Sequence, residues 1–403
     1  MSYFNNIGVS FVDGPNNDAF QRLRISDPLT IFDSKQLYGD NVLVWATQVT
    51  GNATSSFIAN NASMALIASG SNTGVIRQTR KRFVYQPGKS QFIVCTGNFS
   101  GSSAGSIKRM GYYDQNNGMF FMSSGSSFGL VLRSNTSGTP VDTFYSQSSW
   151  NLDTYDGNGP SGYKYQITNS QIHFVDFEWL GVGRIRYGIF QGGIPTYVHQ
   201  ITNINALDSV YMSTPNLPIR YEIQNSGSTP ASMKHICSTV VSEGGLAQNG
   251  YIRAASHTSS SALTQSSYTG LLAIRLSASA FDAGVVPLDI AAAQLGANSL
   301  YEVNIQVNPS GSFPWIWQNL QNSVIQFATC SLTVPASYQV VAEGTKVYTT
   351  LNAGAGVAAN VTLDPNFALG TDITGSQDTL VVCWKQIAGT SLSASVAMDW
   401  REL

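Results

Sequence analysis

Apolar and polar residues alternate with a period of two along most of this chain. The alternation is sharpest over residues 172–189, Ile-His-Phe-Val-Asp-Phe-Glu-Trp-Leu-Gly-Val-Gly-Arg-Ile-Arg-Tyr-Gly-Ile. Val175, Phe177, Trp179, Ile185, Tyr187 and Ile189 fall on one face, and Asp176, Glu178, Arg184 and Arg186 on the other, as in two half-buried strands joined by a turn. Parity restricts that turn. A three-residue loop at Gly181-Val182-Gly183, a length at which a left-handed glycine is common, keeps like faces together and sets Glu178 opposite Arg186. A two-residue loop would set Glu178 opposite Ile185. The stretch predicts an antiparallel sheet with an aromatic core face.

Short apolar runs bounded by Gly, Asn and Ser at 42–46, 74–78, 90–95, 119–122 and 129–133 are too brief for helices. They predict strand after strand from 41 to 245, most economically a β-sandwich of jelly-roll or lectin-like type. After Gly244-Gly245 the charges thin out and Ser, Ala and Thr dominate. Runs at 271–276, 301–307, 324–328, 339–341 and 380–384, and an alternating segment at 391–400, predict a second sandwich over 246–403 whose last strand is integral. One short helix is expected, at 288–295. No internal repeat with a period of about 20–50 residues is evident. The expected fold class is all-β, with two jelly-roll-like antiparallel β-sandwich domains preceded by an extended N-terminal arm.

That arm, residues 1–40, carries Phe20, Leu23, Ile25, Leu29, Ile31 and Phe32 at irregular spacing, and Pro28 interrupts a helix or a central strand alike. Its anchors, chiefly Phe20, Leu23, Ile25 and Phe32, need an apolar surface. This chain or a neighbouring subunit would supply it.

Charged residues make up 11% of the chain, against roughly 25% in an average soluble protein. A formal net charge of -2 gives no field for gathering nucleic acid or anionic lipid, so neither is expected as a partner. Hydrophobic residues at 43% argue against disorder. Cys95, Cys237, Cys330 and Cys383 are scattered, without metal-site spacing, and three lie inside apolar runs. They are expected to be free thiols, as in a reducing cytoplasm. The first residues form no signal peptide, and no apolar run of about 18 residues appears, so neither export by that route nor a membrane span is expected.

Candidate chemistry is sparse. Asp176 and Glu178 resemble the paired carboxylates of a sandwich-fold glycosidase. Arg184 and Arg186 on the same face would keep both ionised, which is wrong for a general acid. His173, His199, His235 and His257 are isolated, and neither an H-E-x-x-H pattern nor a G-x-S-x-G elbow is present. The chain is therefore expected not to be an enzyme and to have no catalytic residues, cofactor or metal. Asp176, Glu178, Trp179, Arg184 and Arg186 are expected to be structural. Arg80-Lys81-Arg82 is expected to be a solvated strand end rather than a phosphate site.

Several stretches together carry a resemblance. They are 19–26 (Ala-Phe-Gln-Arg-Leu-Arg-Ile-Ser) with Phe32-Asp33-Ser34-Lys35, then 111–121 (Gly-Tyr-Tyr-Asp-Gln-Asn-Asn-Gly-Met-Phe-Phe) and Trp150-Asn151-Leu152-Asp153. Residues 176–186, 214–223 (Thr-Pro-Asn-Leu-Pro-Ile-Arg-Tyr-Glu-Ile) and 237–245 continue the set. With these the chain resembles a family of uncharacterised virion structural proteins of tailed bacteriophages, with relatives in giant DNA viruses. The resemblance covers the first 245 residues. It departs at Gln21, where the pattern has glycine, and at Tyr155, where it has leucine before Asp156.

The resemblance implies a structural component of a virus particle, capsid-associated or in the neck or tail. Its partners would be other virion proteins and further copies of itself, and it would be assembled in the host cytoplasm. The motifs have local readings as well. Asp114-Gln115-Asn116-Asn117-Gly118 is a side-chain-capped hairpin turn, 150–161 an ordered loop with an aromatic anchor, and Pro215 and Pro218 mark a strand entry. A second function stays open, a carbohydrate-binding adhesin or receptor-binding protein, in which exposed Trp or Tyr stack on a host glycan.

Overall fold

The computed structural model describes residues 27–247, 249–258, 268–295, 300–309, 315–329, 340–341, 345–353, 359–362, 369–389 and 393–403. The chain is all-β, and no α-helix occurs among the described residues. The first sandwich begins with β1 (Pro28–Lys35), β2 (Trp45–Thr50), β3 (Thr54–Ile58), β4 (Ser63–Ala68) and β5 (Thr73–Thr79). It continues with β6 (Ser90–Asn98), β7 (Ser106–Tyr113), β8 (Gly118–Ser124), β9 (Ser127–Ser134) and β10 (Val141–Ser146). β11 (Gln171–Phe177), β12 (Arg184–Gln191), β13 (Ile194–Thr202), β14 (Ile219–Asn225) and β15 (Ala231–Glu243) complete it.

One sheet has the order β13-β12-β11-β6-β15-β4-β3, with β1 also paired to β15. The facing sheet has the order β10-β9-β8-β7-β14-β5-β2. The chain passes back and forth between the two, as in a jelly roll, and every pairing is antiparallel. Inward positions of both sheets fill one core, where Trp45, Tyr112, Phe121, Phe177, Tyr187 and Tyr221 are all essentially inaccessible. Each such side chain contributes roughly 1.5–3 kcal/mol by leaving water.

The second sandwich comprises β16 (Tyr251–Thr258), β17 (Tyr268–Leu276), β18 (Val285–Leu295), β19 (Leu300–Val307), β20 (Gln318–Asn319) and β21 (Ile325–Thr329). β22 (Val340–Val341), β23 (Thr345–Ala353), β24 (Ala359–Thr362), β25 (Leu380–Ala388) and β26 (Ser393–Glu402) follow. Its sheets run β16-β26-β18-β24 and β20-β21-β17-β25-β19-β23, with β22 beside β17. Tyr301 stacks on Trp384 at 4.0 Å in the core. The last strand, β26, lies between β16 and β18, as its alternation predicts.

Four expectations need correction. Residues 288–295 belong to β18, where buried Ile290 and Ala292 alternate with more accessible Ala291 and Ala293. Alanine favours a helix, but pairing on both sides, to β26 and β24, decides the matter. Part of the expected arm is a strand: β1 pairs with β15 from Pro28↔Glu243 to Lys35↔Cys237, with a bulge between Thr30 and Phe32 that accounts for the irregular spacing. Phe32 packs on Phe83 and Trp45 of its own chain, with ring centroids 5.0 and 6.2 Å away. The other named anchors, Phe20, Leu23 and Ile25, lie outside the described residues, as do Gln21 and Cys330. In the run at 42–46, the strand starts only at Trp45.

The fourth correction concerns the basic run, which is not a solvated strand end. Arg82 donates to Asp114 at 2.7 Å and stacks over Phe281 at 4.7 Å, while Arg80 donates to Asp378 at 2.8 Å. Thr214 and Asn216 hydrogen-bond Asp282, and the Thr371 amide donates to the Arg80 carbonyl. Together these groups form a polar seam between the two sandwiches. The motif readings hold better. Asp114 Oδ1 accepts the amides of Asn116 and Asn117, Asp153 accepts those of Tyr155 and Ser161, and buried Trp150 packs on Phe128. Cys95, Cys237 and Cys383 are free thiols.

Candidate functional site: an aromatic sheet face and its cleft

The β11–β12 hairpin has the expected parity with a different register. Asp176 pairs with Arg186 and Phe177 with Ile185, and the Glu178 amide donates to the Arg184 carbonyl. Glu178 therefore stands across from Arg184, two residues from the expected partner. The turn centres on Gly181, one residue earlier than the three-residue loop requires. Leu180, not a glycine, takes the left-handed conformation, at φ +79°. Gly181 and Gly183 serve a different need: a Cβ on either would collide with the carbonyl of Ser209 or of Glu178.

Side chains that leave the core side of this sheet build a second surface on its outer face. Phe174 is its centre. It is buried, with the Cζ end of its ring over Gly188, where a Cβ would strike it, and Phe92, Phe190 and Tyr197 surround it at 5.1, 5.0 and 5.3 Å. These neighbours come from β6, β12 and β13 and are each half-buried. Beside the rings, Asp176 Oδ2 accepts from Arg186 and, at 3.0 Å, from the Tyr197 hydroxyl. The Arg186 guanidinium lies over the Tyr197 ring at 4.2 Å. The pairing fixes the aromatic platform laterally, since a partly desolvated, hydrogen-bonded charge pair holds one geometry.

At the turn end the same face runs into a cleft of about 810 Å³, lined among others by Pro28, Tyr85, Ser90, Glu178, Trp179 and Glu243. Tyr85 stacks on Phe177 at 5.8 Å and meets Trp179 edge-on at 6.1 Å, and the Trp179 indole donates to the Met212 carbonyl at 3.0 Å. Burial raises the pKa of the Tyr85 hydroxyl, with Glu178 adding to the effect, so it stays a neutral phenol. Glu243 accepts from the Ser90 hydroxyl at 2.7 Å. Lys89 turns its amine to Gln86 and to the Gly245 carbonyl, at 2.7 and 3.1 Å. Leu180 and Val182 form an exposed apolar lip.

Of the residues singled out from sequence, Glu178 and Trp179 line the cleft, Asp176 and Arg186 form the pair beside the platform, and Arg184 is exposed next to Glu178. Tyr85, Ser90, Phe92, Phe190, Tyr197 and Glu243 went unnoticed. A signal existed for part of the platform: Ile172, Phe174 and Phe190 are apolar on the face that otherwise carries charge. Among the described residues no group of three or more His, Cys, Asp or Glu is placed to hold a metal ion.

No protein-family model matches the chain, and no curated protein matches it in sequence. Solved structures do. A glycoside hydrolase family 16 endo-glucanase from Bacteroides ovatus is 9% identical, at a TM-score of 0.35 over 52% of this chain and 99% of that one. A β-1,3-glucanase from Mycobacterium marinum is 10% identical, at 0.35 over 53% and 98%. The carbohydrate recognition domain of Emp47p is 13% identical, at 0.35 over 54% and 97%. Glycoside hydrolases stand among these structures, so the expectation that the chain is not an enzyme is withdrawn; likeness at this level says nothing of whether this chain has an activity.

Proposed function

We propose that the chain is a structural protein of a tailed-bacteriophage particle whose first sandwich binds carbohydrate along the outer face of its eight-stranded sheet. The observation that carries the binding reading is the continuity of that face, from the platform of Phe92, Phe174, Phe190 and Tyr197 to the cleft with Tyr85, Trp179, Glu178 and Glu243. Sugar rings present an apolar C–H face and a rim of hydroxyls. The half-buried rings of Phe92, Phe190 and Tyr197, inclined to one another, suit the first, and the carboxylates, the Ser90 hydroxyl and the Tyr85 phenol of the cleft suit the second. Phe92, Phe190 and Tyr197 are the half-buried rings a ligand can reach, and buried Phe174 beneath them and the Asp176–Arg186 pair beside them hold them in place before it arrives.

The place in a particle rests on the resemblance, and the positions of its motifs support a shared scaffold. Asp114 and Asp153 cap loops, and buried Glu222 accepts from Arg109 and Arg220. These groups keep the first sandwich in shape.

Binding is tested by presenting the full chain to an immobilised glycan panel and titrating any ligand found into the wild type, Phe190→Ala and Tyr197→Ala. Loss of a stacked ring at a binding centre is expected to weaken affinity about tenfold or more, at least 1.4 kcal/mol. Unchanged affinity in both variants removes the sheet face from the reading. The particle assignment is tested separately by mass spectrometry of purified virions, in which absence of the chain overturns it.

A further inference from the structure

Resting on the carbohydrate reading of the cleft, we infer that its ligand is an uncharged, hydroxyl-rich glycan and that Glu178 and Glu243 are the residues that reject acidic ones. The two carboxylates are both exposed and both line the cleft. The Glu243 carboxylate accepts a single side-chain hydrogen bond, from Ser90, and has capacity left for hydroxyl donors. The cation inside the cleft, Lys89, is already engaged by Gln86 and the Gly245 carbonyl. Arg186 is taken by Asp176, and Arg184, though exposed beside Glu178, is not part of the lining. The remaining walls are the aromatic rings, Pro28, Gly88, Gly183, Gly244 and the apolar lip.

A sugar hydroxyl reaching these walls therefore meets acceptors. A uronate carboxylate meets two like charges with no free cation among the described lining residues to offset them. Juxtaposed like charges at a binding site penalise the wrong partner and supply specificity rather than raw affinity. The same hydroxyl-accepting carboxylates thus act for neutral sugars and against anionic ones.

The test pairs neutral oligosaccharides of glucose, mannose and galactose with the corresponding uronic-acid oligosaccharides of equal length. Each is titrated at low salt into the full chain, Glu178→Gln, Glu243→Gln and the double variant. At least one neutral member is expected to bind, with its uronate partner about tenfold weaker or worse, and the gap should shrink to within about threefold in the double variant. A uronate that binds the wild type as tightly as its neutral partner overturns the inference. So does a gap that the double variant leaves unchanged. Failure of every neutral and acidic member to bind instead overturns the carbohydrate reading, and this inference with it. Both glutamates are exposed, so their amide variants are expected to fold, which circular dichroism checks.

Discussion

Among single residues, Asp176 and Arg186 test the register most directly. The outward carboxylate of Asp176 is nearly inaccessible, and its partners are the Arg186 guanidinium and the Tyr197 phenol. Removing either member of the ion pair leaves the other poorly solvated and without its opposite charge. Because Arg186 keeps partial access to water, the cost falls below that of a deeply buried pair, at about 1–3 kcal/mol for Asp176→Ala. A double-mutant cycle in urea should give about 1 kcal/mol or more of coupling between Asp176 and Arg186, and none between Glu178 and Arg186. Coupling on the second pair in place of the first would mean that the strands pair two residues out of the described register. Sequence alone supports the parity that puts all four charges on one face. It does not locate the centre of the turn, because that depends on the Ser209 carbonyl pressing against Gly181 from a distant loop.

At the level of elements, period-two patterning recovers most strands and fails where local and tertiary preferences disagree. The alanine run inside β18 looks helical because alanine has the highest helix propensity, and neighbouring strands override it. β1 looks like an arm because its bulge breaks the alternation. The outer aromatic platform was half legible, in Phe174 and Phe190, and otherwise hidden, since its remaining rings come from β6 and β13 and meet only after the sheet forms. Pairing of β1 with β15 has a direct consequence. Deleting residues 1–40 removes a strand of the first sandwich, the hydrogen bond from Trp45 to Ser34 and the Phe32 ring packed on Phe83. Phe32 is half-buried, so losing it alone costs less than the roughly 3–5 kcal/mol of a fully buried ring. The truncated protein is expected to lose the near-ultraviolet circular dichroism of the first sandwich; a truncated chain with a native spectrum would show that β1 is dispensable.

For the whole molecule, the question is whether two sandwiches behave as one body. The seam joins residues as far apart in sequence as Arg80 and Asp378, so no local pattern announces it. Arg80-Lys81-Arg82 is conspicuous in the sequence as a cluster of charge, but its partners lie in another loop of the first sandwich and in the second one. Asp378 is nearly buried, accepts from both Arg80 and Asn308, and thereby ties the start of β25 to the first sandwich. Asp282 does the same for the segment before β18 by accepting from Thr214. Such contacts are hydrogen-bonded and shielded from water, so together they should couple the domains by a few kcal/mol, enough to merge their unfolding. Calorimetry of the wild type is expected to give one transition, and Asp282→Ala combined with Asp378→Ala to give two. If the double alanine variant still unfolds in a single step at an unchanged temperature, the seam does not couple the sandwiches.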